Sequence, residues 1–394
     1  MNRMPGPLKK RDHNPWLDLF RGIAALLVCM GHTRNALWID YAAISDTMLW
    51  HYPVYLVTSF GHQAVIVFFV LSGYLVGGGV LAKGPDFSWL EYSVARLVRL
   101  WTVLVPALIF TAICDYLTLR MHPTAFDGAL VSRWQSGPES LVGFSWEAFV
   151  GNILFLQTVK VPVYGSNAPL WSLAYEFWYY LLFPLVAAVL GQLGKSRRSA
   201  RLMNLAVIVI LVLWLPAKIS FYFSVWLLGA ICSIREERVV RQLRSLRIFA
   251  TALFALSLIA AKAIRGTDAI AFVCDVFVAI SFALLMVSLR GWTPQLLVKK
   301  FPSLIITKLS DISYSLYLFH FPMVALIAVT TVGTRQLSPS LSSTVALLGV
   351  TLICLLISYG SWLIFERRNV SLRKKVSTWL VRTKGEVTAG RSAE

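Results

Sequence analysis

Residues 16–32 read WLDLFRGIAALLVCMGH, and the fold class follows from what this stretch contains. Ten uncharged, mostly apolar residues separate Arg21 from His32. In a helix the eleven-residue step returns to within about 20° of the same face and rises roughly 16 Å. Asp18 lies in the same sector, one turn before Arg21. A charge at the bilayer centre costs about 2.5–3.5 kcal/mol on insertion scales, so ionisable groups there face a cavity or a partner. The stretch therefore predicts a membrane helix with a cation near one interface and an imidazole deep on the same face.

Working outward, similar apolar runs cover 16–35, 61–81, 96–119, 167–191, 202–216, 219–234, 248–263, 269–288, 312–332 and 343–365. Composition agrees: 57% of the 394 residues are hydrophobic and 14% charged, against roughly 25% charged in soluble domains. The reading is an all-α polytopic integral membrane protein of about ten transmembrane helices with both termini cytoplasmic. Residues 147–159 form an eleventh apolar stretch, of a length that suits a re-entrant or interfacial piece.

Charge supports ten. With the N-terminus inside, only Arg34, Arg120, Arg133, Lys160, Lys218, Lys262, Arg265 and Arg335 of the 37 Lys and Arg fall outside, as the positive-inside rule requires. Clusters such as Lys9, Lys10 and Arg11, or Arg373, Lys374 and Lys375, sit inside. The formal charge of +18 then points to anionic lipid headgroups rather than nucleic acid. The first apolar run is too long for a signal peptide and lacks an A-x-A site. The expected organisation is a cytoplasmic tail over 1–14, one membrane domain over 15–370 and a basic cytoplasmic tail over 371–394. Cys29, Cys114, Cys232, Cys274 and Cys354 lie singly in apolar spans, without metal spacing, and read as packing residues.

Function is sought among polar groups that burial makes costly. Arg96 and Arg99, in ARLVRLW, share a helix face at i and i+3 and suit bidentate phosphate binding; ordinary interface anchoring is the competing reading. In SNAPLWSLAYEFWYYLLFPL, Asn167 and Pro169 read as a helix start. Glu176 lies about 13–15 Å below the outer surface, with Ser172 one turn above, where a carboxylate can orient the His32 imidazole. In SDISYSLYLFHFPMV, Tyr314, Tyr317 and His320 share a loose face, and Pro322 frees a backbone carbonyl. Ser72 and Gly73, in FFVLSGYLVGGG, read as close backbone packing or a bend.

Taken in order, LDLFRGIAALLVCMGH at 17–32, FFVLSGYLV at 68–76, the Arg96/Arg99 pair, PLWSLAYEFWYYLLFP at 169–184 and SYSLYLFHFPMV at 313–324 resemble the acyltransferase 3 family of bacterial membrane O-acyltransferases. The likeness covers essentially residues 14–370. It implies transfer of an acyl group, usually acetyl from cytoplasmic acetyl-CoA, to a hydroxyl of a glycan, a lipid-linked glycan or another envelope acceptor. The setting it implies is the bacterial inner membrane, with glycan-assembly proteins as possible partners. On this resemblance His32 is the catalytic base, with Glu176 and His320 at the catalytic centre. Arg21, Arg96 and Arg99 hold the donor's phosphates, with Asp18, Ser172, Tyr314 and Tyr317 in support and no metal. Relatives often end the tenth helix with an acid followed closely by proline; here Glu366 is followed by Arg367 and Arg368. Many relatives also carry an extra hydrolase-like domain, for which this sequence has no room. A transporter of a small solute or lipid-linked precursor is the competing class, although 16–191 and 202–365 show no repeated halves. A non-enzymatic scaffold leaves His32 and Glu176 unexplained.

Overall fold

A computed structural model describes residues 14–46, 48–126, 141–194, 197–234, 237–264, 266–294, 297, 299–333, 335–378 and 380. Among them the chain is all-helical. Residues 1–13, with Lys9, Lys10 and Arg11, and residues 381–394 of the predicted tails lie outside the described residues, as do Arg133 and Arg265, whereas 371–378 are helical.

The first helix, α1 (Pro15–Leu37), begins where local chemistry dictates. The Asn14 side chain accepts from the Trp16 amide at 3.1 Å, Pro15 occupies the first turn, and Asp18 meets the positive helix end. Next come α2 (His51–Thr58) and α3 (Gly61–Ser72). A single π-turn over Gly73–Gly77 then leads into α4 (Gly78–Lys83). Ser88 caps α5 (Trp89–Met121) by accepting from the Glu91 amide. The apolar piece at 147–159 forms only the eight-residue α6 (Trp146–Ile153), about 12 Å long and too short to cross a bilayer. The chain continues through α7 (Leu170–Val189), α8 (Arg198–Trp214), α9 (Ala217–Cys232), α10 (Glu237–Arg244) and α11 (Arg247–Ala263). It closes with α12 (Asp268–Ser288), α13 (Lys300–Asp311), α14 (Ser313–Thr331) and α15 (Leu341–Ile364).

Among the described residues six helical stretches are long and apolar enough to cross a membrane: 51–86, 89–121, 170–189, 268–288, 313–331 and 341–378. The protein is a multi-pass membrane protein. The expected count of ten exceeds six for physical reasons. Asp18, Arg21, His32 and Arg34 make the 23-residue α1 too polar on average. Helices α8, α9 and α11 have 17, 16 and 17 residues, about 24–26 Å against a hydrocarbon thickness of about 30 Å. No residue of α8 is buried in the protein, which leaves its apolar side chains to lipid.

The core sits around α1, which packs on α3, α13, α14 and α15, while α14 also lies along α5. Close helix approach depends on glycine. A Cβ on Gly31 would fall 2.6 Å from the Thr58 carbonyl oxygen and 3.9 Å from the Gly61 Cα, so α1 and α3 cross at that level. Likewise Gly73 abuts the Trp226 carbonyl and Gly229 the Val70 carbonyl, an interface of small residues between α3 and α9. The bend read at Ser72 and Gly73 is the π-turn at this crossing.

Two prolines inside helices release carbonyls that other helices then use. Pro322 has no N–H for the Leu318 carbonyl, which accepts instead from Asn167 Nδ2 at 2.9 Å. Pro184 does the same for Tyr180, whose carbonyl accepts from Tyr92 OH at 2.9 Å. Asn167 is therefore not the expected cap: α7 starts at Leu170 with no side-chain cap, and Asn167 ties α14 to Thr111 of α5.

Candidate active site

A cavity of about 370 Å³ lies between α1, α3, α5, α7 and α14, within the usual range for ligand pockets. Its wall on α3 runs from Val65 to Val76, eleven residues or roughly 16 Å along the helix. The neighbouring helices order its two ends consistently. Arg21, Arg96, Arg99, Tyr180 and Tyr314 lie toward the Val76 end; Ser172 and Tyr317 lie toward the Val65 end. The structure thus brings together seven of the residues singled out in the sequence: Arg21, Arg96, Arg99, Ser172, Glu176, Tyr314 and Tyr317.

At the arginine end, the three guanidiniums are held differently. Arg21 Nη1 donates to Ser310 Oγ at 3.2 Å and stands 3.7 Å from Asp18 Oδ1. Ser310 Oγ donates in turn to Asp18 Oδ1 at 2.9 Å. Arg96 lies over the Tyr180 ring, 5.8 Å from its centroid, and its buried Nε has no hydrogen-bond partner. Arg99 is exposed by area although Tyr180, Glu366, Glu176 and Tyr314 surround it within electrostatic reach; its accessible face opens on the cavity. Among the described residues neither Arg96 nor Arg99 has a carboxylate oxygen within 4.0 Å. Both keep donors for an anionic ligand.

Glu176 lies partway along the cavity. Ser72 Oγ donates to its Oε1 at 2.6 Å, and Tyr180 OH donates to the same oxygen. Trp226 Nε1 donates to Ser72 Oγ at 3.1 Å, so α3, α7 and α9 meet in one polar knot. This corrects the expected pairing of Glu176 with His32. Ser72 is eleven residues from Gly61, which is level with Gly31, and Glu176 is therefore roughly 16 Å along the bundle from the His32 level. The reason is depth: Glu176 lies level with Ser72 on α3, whereas His32 lies near the level of Gly61.

At the far end, Ser172 Oγ and Tyr317 OH are 2.7 Å apart, and both donate toward the Pro169 carbonyl at 3.2 and 3.1 Å. The Phe68 ring meets the Tyr317 ring edge-on at 5.9 Å. Beyond Tyr317, one turn further on α14, the His320 ring lies 6.1 Å from the Tyr317 ring and 5.3 Å from that of His32. His32 is half-buried and also packs edge-on against Phe321 at 4.9 Å. His320 Nδ1 is 2.8 Å from the Leu316 carbonyl. A carbonyl only accepts, so that nitrogen carries the proton and Nε2 presents its lone pair. Nε2 is buried with no partner. Neither imidazole lines the cavity. The continuous path expected from the arginines to His32 is interrupted by the Tyr317 ring.

Several polar residues of the site escaped the sequence reading. Besides Ser72, Tyr180 and Ser310, Ser315 Oγ donates to Glu366 Oε2 at 2.7 Å, which draws Glu366 into the electrostatic surroundings of Arg99. All five cysteines are free. Among the described residues no group of three or more His, Cys, Asp or Glu is arranged to hold a metal ion.

Comparison with known proteins gives a consistent result. The family model Acyl_transf_3, an acyltransferase domain, matches residues 14–359. The O-acetyltransferase OatA of Staphylococcus aureus (strain NCTC 8325 / PS 47) is 26% identical over 343 residues, covering 79% of this chain and 51% of the relative. The acyltransferase MdmB of Streptomyces mycarofaciens is 27% identical over 176 residues, covering 43% of this chain and 38% of the relative. The chain spans about half the length of the OatA relatives it matches. No solved structure matches it.

Proposed function

The chain belongs to the acyltransferase 3 family, and from that premise we propose that it moves an acetyl group from acetyl-CoA to a hydroxyl of a cell-envelope glycan or lipid-linked glycan. One observation carries this reading. A cavity roughly 16 Å long has three guanidiniums at one end and a pair of hydroxyls, one helical turn from two histidines, at the other.

The arginine end suits the donor's phosphates. The apolar walls from Leu75 to Phe68 suit the extended arm, and the thioester then lies by Ser172 and Tyr317. The acceptor hydroxyl comes from the histidine side, after the Tyr317 ring turns aside. Its oxygen attacks the thioester carbonyl carbon while its proton passes to the His32 imidazole, acting as general base. The carbon–sulfur bond breaks, and the departing thiolate takes that proton, releasing the thiol and leaving an ester. A Ser172 or Tyr317 hydroxyl that turns from the Pro169 carbonyl is the donor offered to the developing oxyanion. His320 Nε2 is a second acceptor behind His32.

In this reading ten helices cross the bacterial inner membrane, both termini and the arginine end face the cytoplasm, and 15–370 is the membrane domain. Basic loops rest on anionic lipid, and glycan-assembly proteins supply the acceptor. The name O-acetyltransferase of the OatA relative supports acetyl as the group carried.

The test is thiol release from acetyl-CoA by purified protein in lipid nanodiscs, with envelope glycans as acceptors. Wild-type protein consumes thioester in an acceptor-dependent way, and His32→Ala abolishes this while inserting normally. Full activity in His32→Ala would remove the base assignment. Acceptor translocation with no thioester consumed would favour the transporter class instead.

A further inference from the structure

We propose that Phe68 and Tyr317 close the far end of the cavity against acyl chains longer than about three carbons, and so set the acyl specificity of the enzyme. The inference rests on the acyl-CoA reading above and adds to it which donors are accepted.

The closure is built from three helices at once. The lining residues furthest from the arginines are Val65 and Phe68 on α3, Ser172 on α7 and Tyr317 on α14. They touch one another across the end: the two rings meet edge-on at 5.9 Å with 76° between their planes, and the two hydroxyls are 2.7 Å apart. The end is also anchored. Tyr317 OH and Ser172 Oγ both bond to the Pro169 carbonyl, on the backbone where α7 begins; an alkyl chain that displaces the tyrosine breaks its bond and, unlike an acceptor hydroxyl, offers no polar group in exchange. Behind the tyrosine lies His320, fully buried at 0% exposure, and Phe68 packs against the second apolar cluster that surrounds Phe321 and Cys29.

Chemistry points the same way. The end wall presents two hydroxyls, which suit a carbonyl oxygen, and one aromatic edge, which suits a methyl group. A long alkyl tail would have to bury against those hydroxyls. Each methylene beyond what a pocket holds typically costs 10-fold or more in kcat/KM.

The test compares acetyl-, butyryl- and hexanoyl-CoA in acceptor-dependent thiol release by the full chain in nanodiscs, for wild type, Phe68→Ala and the milder Phe68→Leu. Wild type should favour acetyl over hexanoyl by at least 100-fold in kcat/KM. Phe68→Ala should shrink that ratio at least 10-fold, through a gain in the hexanoyl rate, with Phe68→Leu intermediate. Equal use of all three donors by wild type overturns the proposal. So does an unchanged ratio in both variants, provided that they still turn over acetyl-CoA. Turnover of none of the three donors by wild type overturns the acyl-CoA reading itself, and the chain-length inference falls with it.

Discussion

Replacing Arg99 with Gln tests the donor end most directly. The substitution keeps a polar stem and two donors but removes the charge. Arg99 opens on the cavity and has no carboxylate oxygen within 4.0 Å, so its guanidinium donors are available to a ligand. A hydrogen bond to a charged group contributes about 1.5–3 kcal/mol, and each 1.4 kcal/mol is tenfold, so apparent donor affinity should fall roughly 10–150-fold. The thioester would sit most of a 16 Å cavity away, and kcat should change by less than about threefold. Initial rates of thiol release over a range of acetyl-CoA concentrations separate the two parameters. Salt adds a second readout: raising ionic strength should weaken donor binding by wild type more than by the variant. A fall in kcat at unchanged KM would refute the argument, because it would move the chemistry to the arginine end.

Other substitutions probe the rest of the bundle. His320→Asn retains a donor for the Leu316 carbonyl and removes the Nε2 acceptor; if His320 handles a proton, kcat should drop about 10²–10⁴-fold while the melting temperature in detergent holds. Gly73→Ala drives a methyl against the Trp226 carbonyl and should cost about 1–3 kcal/mol or more, seen as a lower melting temperature. Gly79→Ala, with nothing within 4 Å of a new Cβ, should be neutral or slightly stabilising. Ser72→Ala leaves the Trp226 indole N–H without its acceptor, a loss of about 1–3 kcal/mol that the same melting experiment reads.

What the sequence made legible was local. The i, i+3 pairing of Arg96 with Arg99 and the carbonyl freed by Pro322 follow from backbone geometry within one helix. What it hid depends on which helix faces which. Asn167 looked like a cap because its neighbours suit one, but the carbonyl released at Leu318 binds its side chain instead. Glu176 was assigned to His32 on an estimated depth, but the helix register sets it level with Ser72, well along the bundle from His32. Ser72 carried a signal in the Ser-Gly pair, read correctly as close packing, but nothing local says that its hydroxyl meets a carboxylate 104 positions away. Length and composition alone leave α1 out of the spanning helices for a related reason: it is polar because it builds the site.

Three of the carboxylates near the arginines share one device. Each accepts from a serine hydroxyl: Asp18 from Ser310 at 2.9 Å, Glu176 from Ser72 at 2.6 Å and Glu366 from Ser315 at 2.7 Å. Three acids close to three guanidiniums would ordinarily collapse into ion pairs and leave nothing for an anionic donor. Here Asp18 pairs with Arg21 at 3.7 Å, while the serines hold Glu176 and Glu366 away from Arg96 and Arg99, which keep their N–H groups for phosphate. Ser315→Ala should release Glu366 toward Arg99. The new pair would compete with the donor by about 0.5–1.5 kcal/mol, the usual net contribution of a hydrogen bond, and raise the acetyl-CoA KM roughly 2–13-fold with little change in kcat. Adding Glu366→Gln should restore the KM, because the amide is a weaker competitor for the guanidinium. If Ser315→Ala alone leaves KM unchanged, the serine is only a packing partner, and the arginines are kept open by helix spacing instead.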